Sequence, residues 1–248
     1  MPRIELIEDL TVGPIPTGSN LLVEYSPDSQ WYNAHATIAA RWLSTGGRIS
    51  YHIAAQPREK VRTQLKRLGL ENVEQLEEPS RDPTLALHDW YSASLGPNVP
   101  DDEFTMNSLK VAELSIAWSK GEKVAEQRGS LSSSSLPTTL RLIDNVSCLA
   151  RFNEEKAWVE FVLSRLIPKA SKWNQVSIIG LIKGAHNDWV YKTLEGAVDG
   201  IVDFKLEEAD DETRDLMRIR TMRNVGFDRK WHQLKIAANS EVTLEKDN

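Results

Sequence analysis

The chain contains a single cysteine, Cys148, and no long uninterrupted run of apolar residues. One cysteine excludes an intramolecular disulfide framework and any zinc site built from several cysteines. A membrane-spanning helix needs roughly 18 consecutive apolar residues. No window of this sequence approaches that length, so we predict no contact with a membrane. Residues 1–10 are charged and lack the apolar core of a signal peptide. We therefore expect a cytoplasmic protein.

Motifs for metal binding and for serine-hydrolase catalysis are also missing. None of the histidines has another histidine or an acidic residue at a metal-ligand spacing on a convincing helix face, so we predict no metal site. The histidines are His35, His52, His88, His186 and His232. The Gly-x-Ser-x-Gly motif of the α/β-hydrolases is absent. Because both kinds of motif are missing, neither identifies a catalytic residue in this chain.

The composition is that of a globular protein with a small excess of acidic residues. The 248 residues include 30 Lys+Arg and 36 Asp+Glu, which gives a net charge of −6. This charge argues against strong unspecific coating of DNA, although it is compatible with a local basic patch. Apolar residues make up 40% of the chain and charged residues 27%, which excludes a wholly disordered chain. We predict a single domain over residues 1–248.

Two segments are predicted to be irregular within this domain. Residues 120–139 are polar and include the run Ser132–Ser135, a composition typical of a mobile surface loop. A phosphorylated regulatory segment is the alternative interpretation of this serine run. The charged tail 245–248 is expected to fray.

Strand-like and helix-like patterns alternate along much of the chain. Leu21–Tyr25 and Arg48–Ile53 are typical of strands, whereas Asn33–Leu43 and Pro57–Leu68 show the apolar spacing of helices. This order predicts βαβ units and a mainly parallel sheet. The period of Leu109–Trp118 is ambiguous between helix and strand. Further strands are predicted at Leu140–Asp144 and Val176–Ile182, and further helices at Glu154–Ile167 and Trp189–Val198.

The C-terminal part of the chain alternates strongly between apolar and polar residues. Ile201–Leu206 and Leu216–Met222 flank the acidic segment Glu207–Asp215, a pattern that predicts an antiparallel hairpin at the sheet edge. His232–Ala237 and Glu241–Leu244 are predicted as further edge strands.

Four segments, taken in order, resemble the RecA-like core of the KaiC/RadA family of P-loop ATPases. They are Gly13–Gly18, Leu142–Ser147, Ala197–Val202, and Met222–Arg223 followed by Arg229–His232. They are similar to the family's entry loop, Walker B strand, helix-to-strand step and following hairpin. The resemblance covers nearly the whole chain. It implies a three-layer α/β RecA-like fold with a mainly parallel central sheet and an antiparallel C-terminal edge hairpin.

The residues at the position of the phosphate-binding loop differ from those that its chemistry needs. A P-loop uses glycines so that backbone N–H groups can wrap the phosphates, a lysine on the β/γ-phosphates, and a Ser/Thr hydroxyl on Mg²⁺. Counted without gaps, this position is filled by Tyr25–Tyr32, which contains no glycine. Trp31 stands where the lysine should be and Tyr32 where the hydroxyl should be. Pro27 removes a backbone donor, and Asp28 adds negative charge beside the expected phosphates.

The family's candidate base is absent as well. The family places acidic residues just after the second strand, where this chain has Ala54–Pro57. Phosphoryl transfer depends on positioning and charge stabilisation, so the loss of lysine, hydroxyl and base should abolish it. We therefore expect no catalytic residue and no cofactor, with binding of ATP and Mg²⁺ as the alternative. A degenerate nucleotide site would comprise Gln30, Trp31, Tyr32 and Asp144.

Three residues of this degenerate site have two interpretations each. Trp31 and Tyr32 either fill the vacated nucleotide cavity or form a stacking surface for a base or a partner loop. Asp144 is either a metal-side carboxylate or a residue that caps a helix or organises a loop.

The resemblance also implies surfaces for partners. RecA-type folds bind DNA through the loops after the third and fourth core strands, which here carry Arg151, Lys183 and Trp189. A tryptophan and two cations could stack on and pair with single-stranded DNA or RNA. In the family the C-terminal hairpin reaches the neighbouring subunit's nucleotide, so Arg220 and Arg223 are candidates for a subunit interface. The expected protein partner is another copy of the chain or a RecA/KaiC-type paralogue.

Family resemblance and lost motifs together imply a binding protein. We expect a non-hydrolysing RecA/KaiC-like regulatory or structural subunit, acting in DNA recombination or repair with an active paralogue. The first alternative is an unconventional nucleotide-binding ATPase or switch. The second is an RNA-binding ring subunit similar to the accessory subunits of Elongator.

Overall fold

The computed structural model describes residues 3–77, 84–96, 106–127, 139–209 and 212–245. Its strands are β1 (Thr11–Val12), β2 (Asn20–Tyr25), β3 (Arg48–Ile53), β4 (Leu85–Asp89), β5 (Thr139–Ile143), β6 (Val176–Ile182), β7 (Gly200–Ala209), β8 (Glu212–Met222), β9 (Gly226–Phe227), β10 (His232–Ile236) and β11 (Val242–Leu244). Its α-helices are α1 (Trp31–Ser44), α2 (Arg58–Arg67), α3 (Val73–Glu77), α4 (Trp90–Ala93), α5 (Val111–Gln127), α6 (Glu155–Phe161), α7 (Ile167–Lys172) and α8 (Asp188–Ala197). Short 3₁₀ turns span Glu8–Leu10 and Val146–Arg151.

One large sheet organises the chain, with the strand order β11-β10-β8-β7-β2-β6-β5-β3-β4. Strand β2 lies between β6 and β7 and is parallel to both. Strands β5, β3 and β4 continue the parallel part. Strands β8, β10 and β11 add the antiparallel edge. The predicted fold class, a mainly parallel sheet with an antiparallel C-terminal edge, is confirmed. A separate pair, β1 and β9, forms a small second sheet.

Apolar side chains pack on both faces of the sheet and give the fold three layers. Along β2, Leu21 and Val23 belong to one apolar cluster and Leu22 to the other, because successive side chains of a strand point to opposite faces. Helices α1 and α2 cover the first cluster, for example through Ile38 and Val61. Helices α5, α6 and α8 cover the second cluster.

Several predicted elements differ from the structure in extent. The ambiguous segment Leu109–Trp118 belongs to helix α5, which continues to Gln127 and so includes the start of the 120–139 segment predicted as a loop. The serine run Ser132–Ser135 lies outside the described residues. The predicted acidic turn Glu207–Asp215 was too long, because Glu207 pairs with Arg214 across the β7–β8 ladder. Residues 210 and 211 also lie outside the described residues.

The helix predicted over Glu154–Ile167 is interrupted in the structure. Between α6 and α7, residues Val162–Leu166 form a π-helical turn just before Pro168, which has no backbone N–H to donate. Helical structure then continues to Lys172, beyond the predicted end at Ile167.

The remaining predictions concern the tail and the membrane. Glu245 donates its backbone N–H to Gln233 at 2.8 Å, and residues 246–248 lie outside the described residues. Over the part of the chain that the structure describes, no helix combines the length and the apolar character needed to span a bilayer.

Candidate functional site

The residues predicted to form a degenerate nucleotide site lie at the carboxyl end of the parallel strands, where α/β sheets bind ligands. Residues 26–30 connect β2 to helix α1, and Asp144 follows β5 directly. The strand order puts β6 between β2 and β5. Residues from the start of α1 must therefore cross β6 to reach Asp144.

Trp31 makes this crossing. It is the first residue of helix α1, and its side chain is completely buried. The indole Nε1–H donates to the backbone carbonyl of Asp144 at 2.8 Å. The rings of Tyr25 and Phe204 lie with their centroids 5.9 and 5.4 Å from the indole. The Trp31 side chain is thus a packed core group bonded to the loop after β5.

Gly180 on strand β6 makes this contact possible. A Cβ atom at residue 180 would lie 2.1 Å from the carbonyl oxygen of Asp144 and 2.8 Å from the indole nitrogen of Trp31. Either separation is far below van der Waals contact, so the position tolerates only glycine without rearrangement. We did not select Gly180 from the sequence, although a lone glycine in an apolar strand often marks close approach of other groups.

The Asp144 carboxylate is directed at the loop after β3. Its Oδ1 accepts the backbone N–H of Ala54 at 2.8 Å, and its Oδ2 accepts that of Ala55 at 3.2 Å. The side chain is completely buried, and this burial raises the pKa of Asp144 to about 7, against the lowering effect of the backbone donors. Both carboxylate oxygens are therefore used to fix the loop after β3.

Tyr32 and Gln30 take part in hydrogen bonds with neutral groups. The hydroxyl of Tyr32 lies 3.0 Å from that of Tyr25, and burial raises the pKa of Tyr32 above its ordinary value. The Gln30 side-chain oxygen accepts from Asn33 Nδ2 at 2.7 Å, and the Asn33 oxygen accepts from Gln64 Nε2 at 3.0 Å. Amides and phenols thus line the start of helix α1.

The nearby charges are negative. Asp28 is exposed in the 26–30 connection. Asp215 on strand β8 is near enough to this connection for the charge of Asp28 to act on its carboxyl. Burial, together with the charge of Asp28, raises the pKa of Asp215. Two carboxylates close to this loop disfavour a polyphosphate, because like charges repel.

The three candidate partner-contact residues lie on the segments that follow β5 and β6. Arg151 is exposed, and its guanidinium lies 5.5 Å from the ring centroid of Phe152. Lys183 is half exposed, with its Nζ 3.7 Å from an oxygen of Asp203. Trp189, near the start of α8, is 41% exposed.

Hydrogen bonds hold these two loops together. His186 Nε2 lies 2.8 Å from Ser147 Oγ, and the Ser147 hydroxyl also accepts the N–H of Ile182 at 3.0 Å. Asn187 Nδ2 donates to Glu155 Oε2 at 2.7 Å. The surface that carries Arg151 and Trp189 is therefore supported by bonds between the two loops.

The two candidate interface arginines have different surroundings. Arg220 donates within its own chain to Glu24, Glu195 and Asp203, at 2.5, 2.5 and 2.8 Å. Arg223 is exposed and makes one longer bond, from Nη2 to the carbonyl of Gly196 at 3.2 Å. Of the pair, Arg223 has the side chain that is available to a neighbouring molecule.

A metal centre was not predicted, and the described residues contain no group of three or more His, Cys, Asp or Glu side chains that could hold a metal ion.

Comparison with known proteins identifies the fold. No protein-family model and no curated protein sequence matches the chain. Its fold is similar to the crystal structure of a KaiC-like protein from the hyperthermophilic archaeon Pyrococcus horikoshii, with a TM-score of 0.69. The match covers 99% of this chain and 97% of that chain at 16% sequence identity. At this identity the likeness concerns the fold alone, and the predicted KaiC/RecA-like fold is confirmed.

Proposed function

We propose that this chain is a RecA/KaiC-like domain that acts by binding a partner and does not hydrolyse ATP. The hydrogen bond from Trp31 to the Asp144 carbonyl carries this proposal. The bond supports the proposal because its donor is a buried indole at the position that the resemblance assigns to the lysine of a P-loop ATPase.

The chemistry of phosphoryl transfer supports the proposal. Catalysis of this step requires groups that position the phosphates and neutralise their developing charge. The Asp144 carboxylate is already bonded to Ala54 and Ala55, and Asp28 and Asp215 add negative charge close to the loop. The negative charge near this loop would repel a triphosphate, and neutral amides such as Gln30 do not neutralise the charge of the phosphates.

The proposed partner is a second copy of the chain or a RecA/KaiC-type paralogue, for which the chain serves as a regulatory or structural subunit. Exposed Arg223 supports a contact through the C-terminal hairpin, where an arginine can complete a site on an active neighbour. Arg151 and Trp189 support an additional contact with single-stranded nucleic acid in recombination or repair. Filter binding of single-stranded DNA and of tRNA at a stated salt concentration, with Arg151→Ala as the variant, distinguishes DNA from RNA as the ligand.

Isothermal titration of the full chain with MgATP, combined with a phosphate-release assay, tests the central claim. We expect no heat beyond dilution at ligand concentrations up to about 1 mM, where a micromolar site would be saturated. We also expect no phosphate release.

Turnover that disappears in Asp144→Asn but survives in the control Asp228→Asn, an exposed carboxylate, would refute the proposal. Micromolar binding without turnover would favour a nucleotide-dependent switch instead.

A further inference from the structure

A serine, a histidine and a glutamate lie in a row at the carboxyl end of the adjacent strands β5 and β6. Ser147 belongs to the 3₁₀ turn after β5, His186 to the loop after β6, and Glu155 begins helix α6. His186 Nε2 lies 2.8 Å from Ser147 Oγ, and His186 Nδ1 lies 3.5 Å from Glu155 Oε1. A hydroxyl, an imidazole and a carboxylate in this order form the constellation of a serine hydrolase, which is recognised by geometry and recurs without a shared sequence motif.

The protonation states of the three groups suit this chemistry. Asn187 donates to Glu155 Oε2 at 2.7 Å, and this bond holds the pKa of Glu155 below its ordinary value. Burial lowers the pKa of His186, against the opposing effect of Glu155, so the imidazole is neutral at pH 7 and able to take a proton. With an ionised carboxylate beside Nδ1, that nitrogen carries the proton and Nε2 accepts the Ser147 O–H.

The imidazole of His186 is held in place by its surroundings. The ring of buried Trp158 has its centroid 5.1 Å from that of His186, and the ring of Tyr191 lies 6.1 Å away. The Tyr191 hydroxyl accepts the backbone N–H groups of Ala185 and His186 at 3.0 and 3.1 Å and donates to the Ile182 carbonyl at 2.8 Å. Because the loop and the ring are both fixed, the base is positioned before any substrate binds.

The three groups lie between the core and the surface. Ser147 is 7% exposed and the His186 side chain 3%, whereas the Glu155 side chain is 25% exposed, so the cluster reaches the surface. Phe152 and Trp189, two of the exposed apolar side chains, lie on the same segments after β5 and β6. Aromatic rings of this kind offer an apolar surface for part of a substrate.

We propose that Ser147, His186 and Glu155 form a catalytic triad that hydrolyses carboxylic esters with a small apolar acyl group. Ser147 is the nucleophile, His186 the general base and Glu155 the group that orients the imidazole. The Ser147 hydroxyl accepts the N–H of Ile182 at 3.0 Å and donates to Nε2, which leaves its second lone pair for attack on a carbonyl carbon. This activity is separate from the proposed partner binding and does not involve ATP.

The reaction uses water as its only co-reactant. Ser147 Oγ forms a bond to the ester carbonyl carbon while its proton passes to His186 Nε2, and the proton then leaves with the alcohol as the ester C–O bond breaks. Water next adds to the acyl carbon and gives a proton to Nε2. The bond between Oγ and the acyl carbon breaks, Oγ regains the proton, and the carboxylic acid is released.

Labelling of the full chain with a dialkyl fluorophosphate tests the nucleophile. This probe forms a bond to an activated serine oxygen and releases fluoride, whereas an ordinary hydroxyl is a weak nucleophile and stays unmodified. We expect peptide mass spectrometry to find the adduct on Ser147, and to find none when the chain is first unfolded in urea. Ser44→Ala should be labelled like the unmodified chain, because Ser44 is exposed and its hydroxyl donates to a backbone carbonyl.

His186→Gln separates catalysis from the link between the two loops. The glutamine side-chain carbonyl can still accept the Ser147 O–H, but it cannot take the proton. We expect hydrolysis of p-nitrophenyl butyrate to fall by at least about 100-fold in this variant, with an unchanged circular dichroism spectrum. Ser147→Ala should reduce hydrolysis to the background of the buffer; if it fails to fold, the labelling and His186→Gln decide. Absence of an adduct on Ser147, or equal hydrolysis by folded His186→Gln and the unmodified chain, would overturn the proposal.

Discussion

The missing side chain at residue 180 allows Trp31 and Asp144 to meet across strand β6. The strand is central and almost entirely buried, so its backbone cannot move outward to make room. The contact therefore depends on one glycine whose role is steric, not conformational.

Gly180→Ala should destabilise the protein by about 1–3 kcal/mol, as expected when a methyl group is forced into a packed core. The added Cβ would have to displace the Asp144 carbonyl or break the indole hydrogen bond. Chemical denaturation measured by circular dichroism gives the free energy of unfolding.

Gly196→Ala is the matched control for this substitution. Gly196 lies in helix α8, and a Cβ there meets no atom within 4 Å. Alanine should leave stability unchanged or raise it by up to about 1 kcal/mol, because it favours the helix more than glycine does. Equal destabilisation by the two substitutions would contradict the steric role of Gly180.

Asp144 should make stability depend on pH. Burial raises the pKa of its carboxyl from 3.8 to about 7 in the folded chain. The folded state then holds a proton that the unfolded state loses, so the contribution of Asp144 is complete below about pH 4 and disappears as the pH rises through about 7.

Asp144→Asn removes this titration. Between about pH 4 and about pH 7 the unfolding free energy of the unmodified chain should fall relative to that of the variant, by at most about 1.4 kcal/mol per pH unit. Denaturation curves of both proteins at several pH values measure the difference. Parallel pH profiles would mean that the carboxyl is ionised throughout this range.

At the scale of elements, the hairpin of β7 and β8 is attached to the centre of the sheet by Arg220. Its guanidinium joins β2, β7 and α8, which are far apart in sequence. Arg220→Ala would leave Glu24 and Asp203 with fewer partners in a buried setting, so we expect a loss of about 2–3 kcal/mol in unfolding free energy.

Arg223→Ala on the same hairpin provides the comparison. Arg223 is exposed and has a single bond to a backbone carbonyl, so its loss should change stability by less than about 0.5 kcal/mol. Thermal or chemical denaturation of both variants tests the contrast. A larger effect at Arg223 than at Arg220 would reverse the assignment of structural and exposed roles.

Elements with strong local patterns were predictable from the sequence. The apolar run Val176–Ile182 forms β6, and the alternating segments on either side of the acidic turn form β7 and β8. Strand β4 was missed, because Leu85–Asp89 is short and ends next to the tryptophan that begins α4. The sequence does not decide between helix and strand for α5, because the buried side chains among residues 111–120, such as Leu114 and Trp118, give a weak period.

The sequence indicated candidate residues for the site, but it did not indicate the contacts that they make. The resemblance selected Trp31 and Asp144, yet their bond depends on the neighbouring position of β2, β6 and β5, which only the whole sheet defines. The partners of Glu24 likewise come from residues that are distant in sequence, so no local pattern indicated them. Contacts of this kind arise from strand order and register.

At the scale of the whole molecule, an N-terminal and a C-terminal segment of the described chain both contact helix α1. Arg41 forms ion pairs with Glu5 and with Glu241, the residue before β11. The backbone N–H of Val242 donates to Thr37 Oγ1 at 3.0 Å. Val242 itself is 1% exposed and belongs to the same apolar cluster as α1. The edge strand is thus part of the core, and the domain should unfold as one unit.

Val242→Ala should therefore weaken the whole domain and not only its edge. Removing two buried carbon atoms should cost about 2 kcal/mol, which for a chain of this size lowers Tm by roughly 4–8 °C. Calorimetry should show a single transition at the lower temperature, whereas Thr243→Ala, on the exposed side of β11, should cost less than about 1 kcal/mol. A separate early transition in Val242→Ala would show that β10 and β11 unfold independently, because a strand outside the cooperative core can be weakened without changing the main transition.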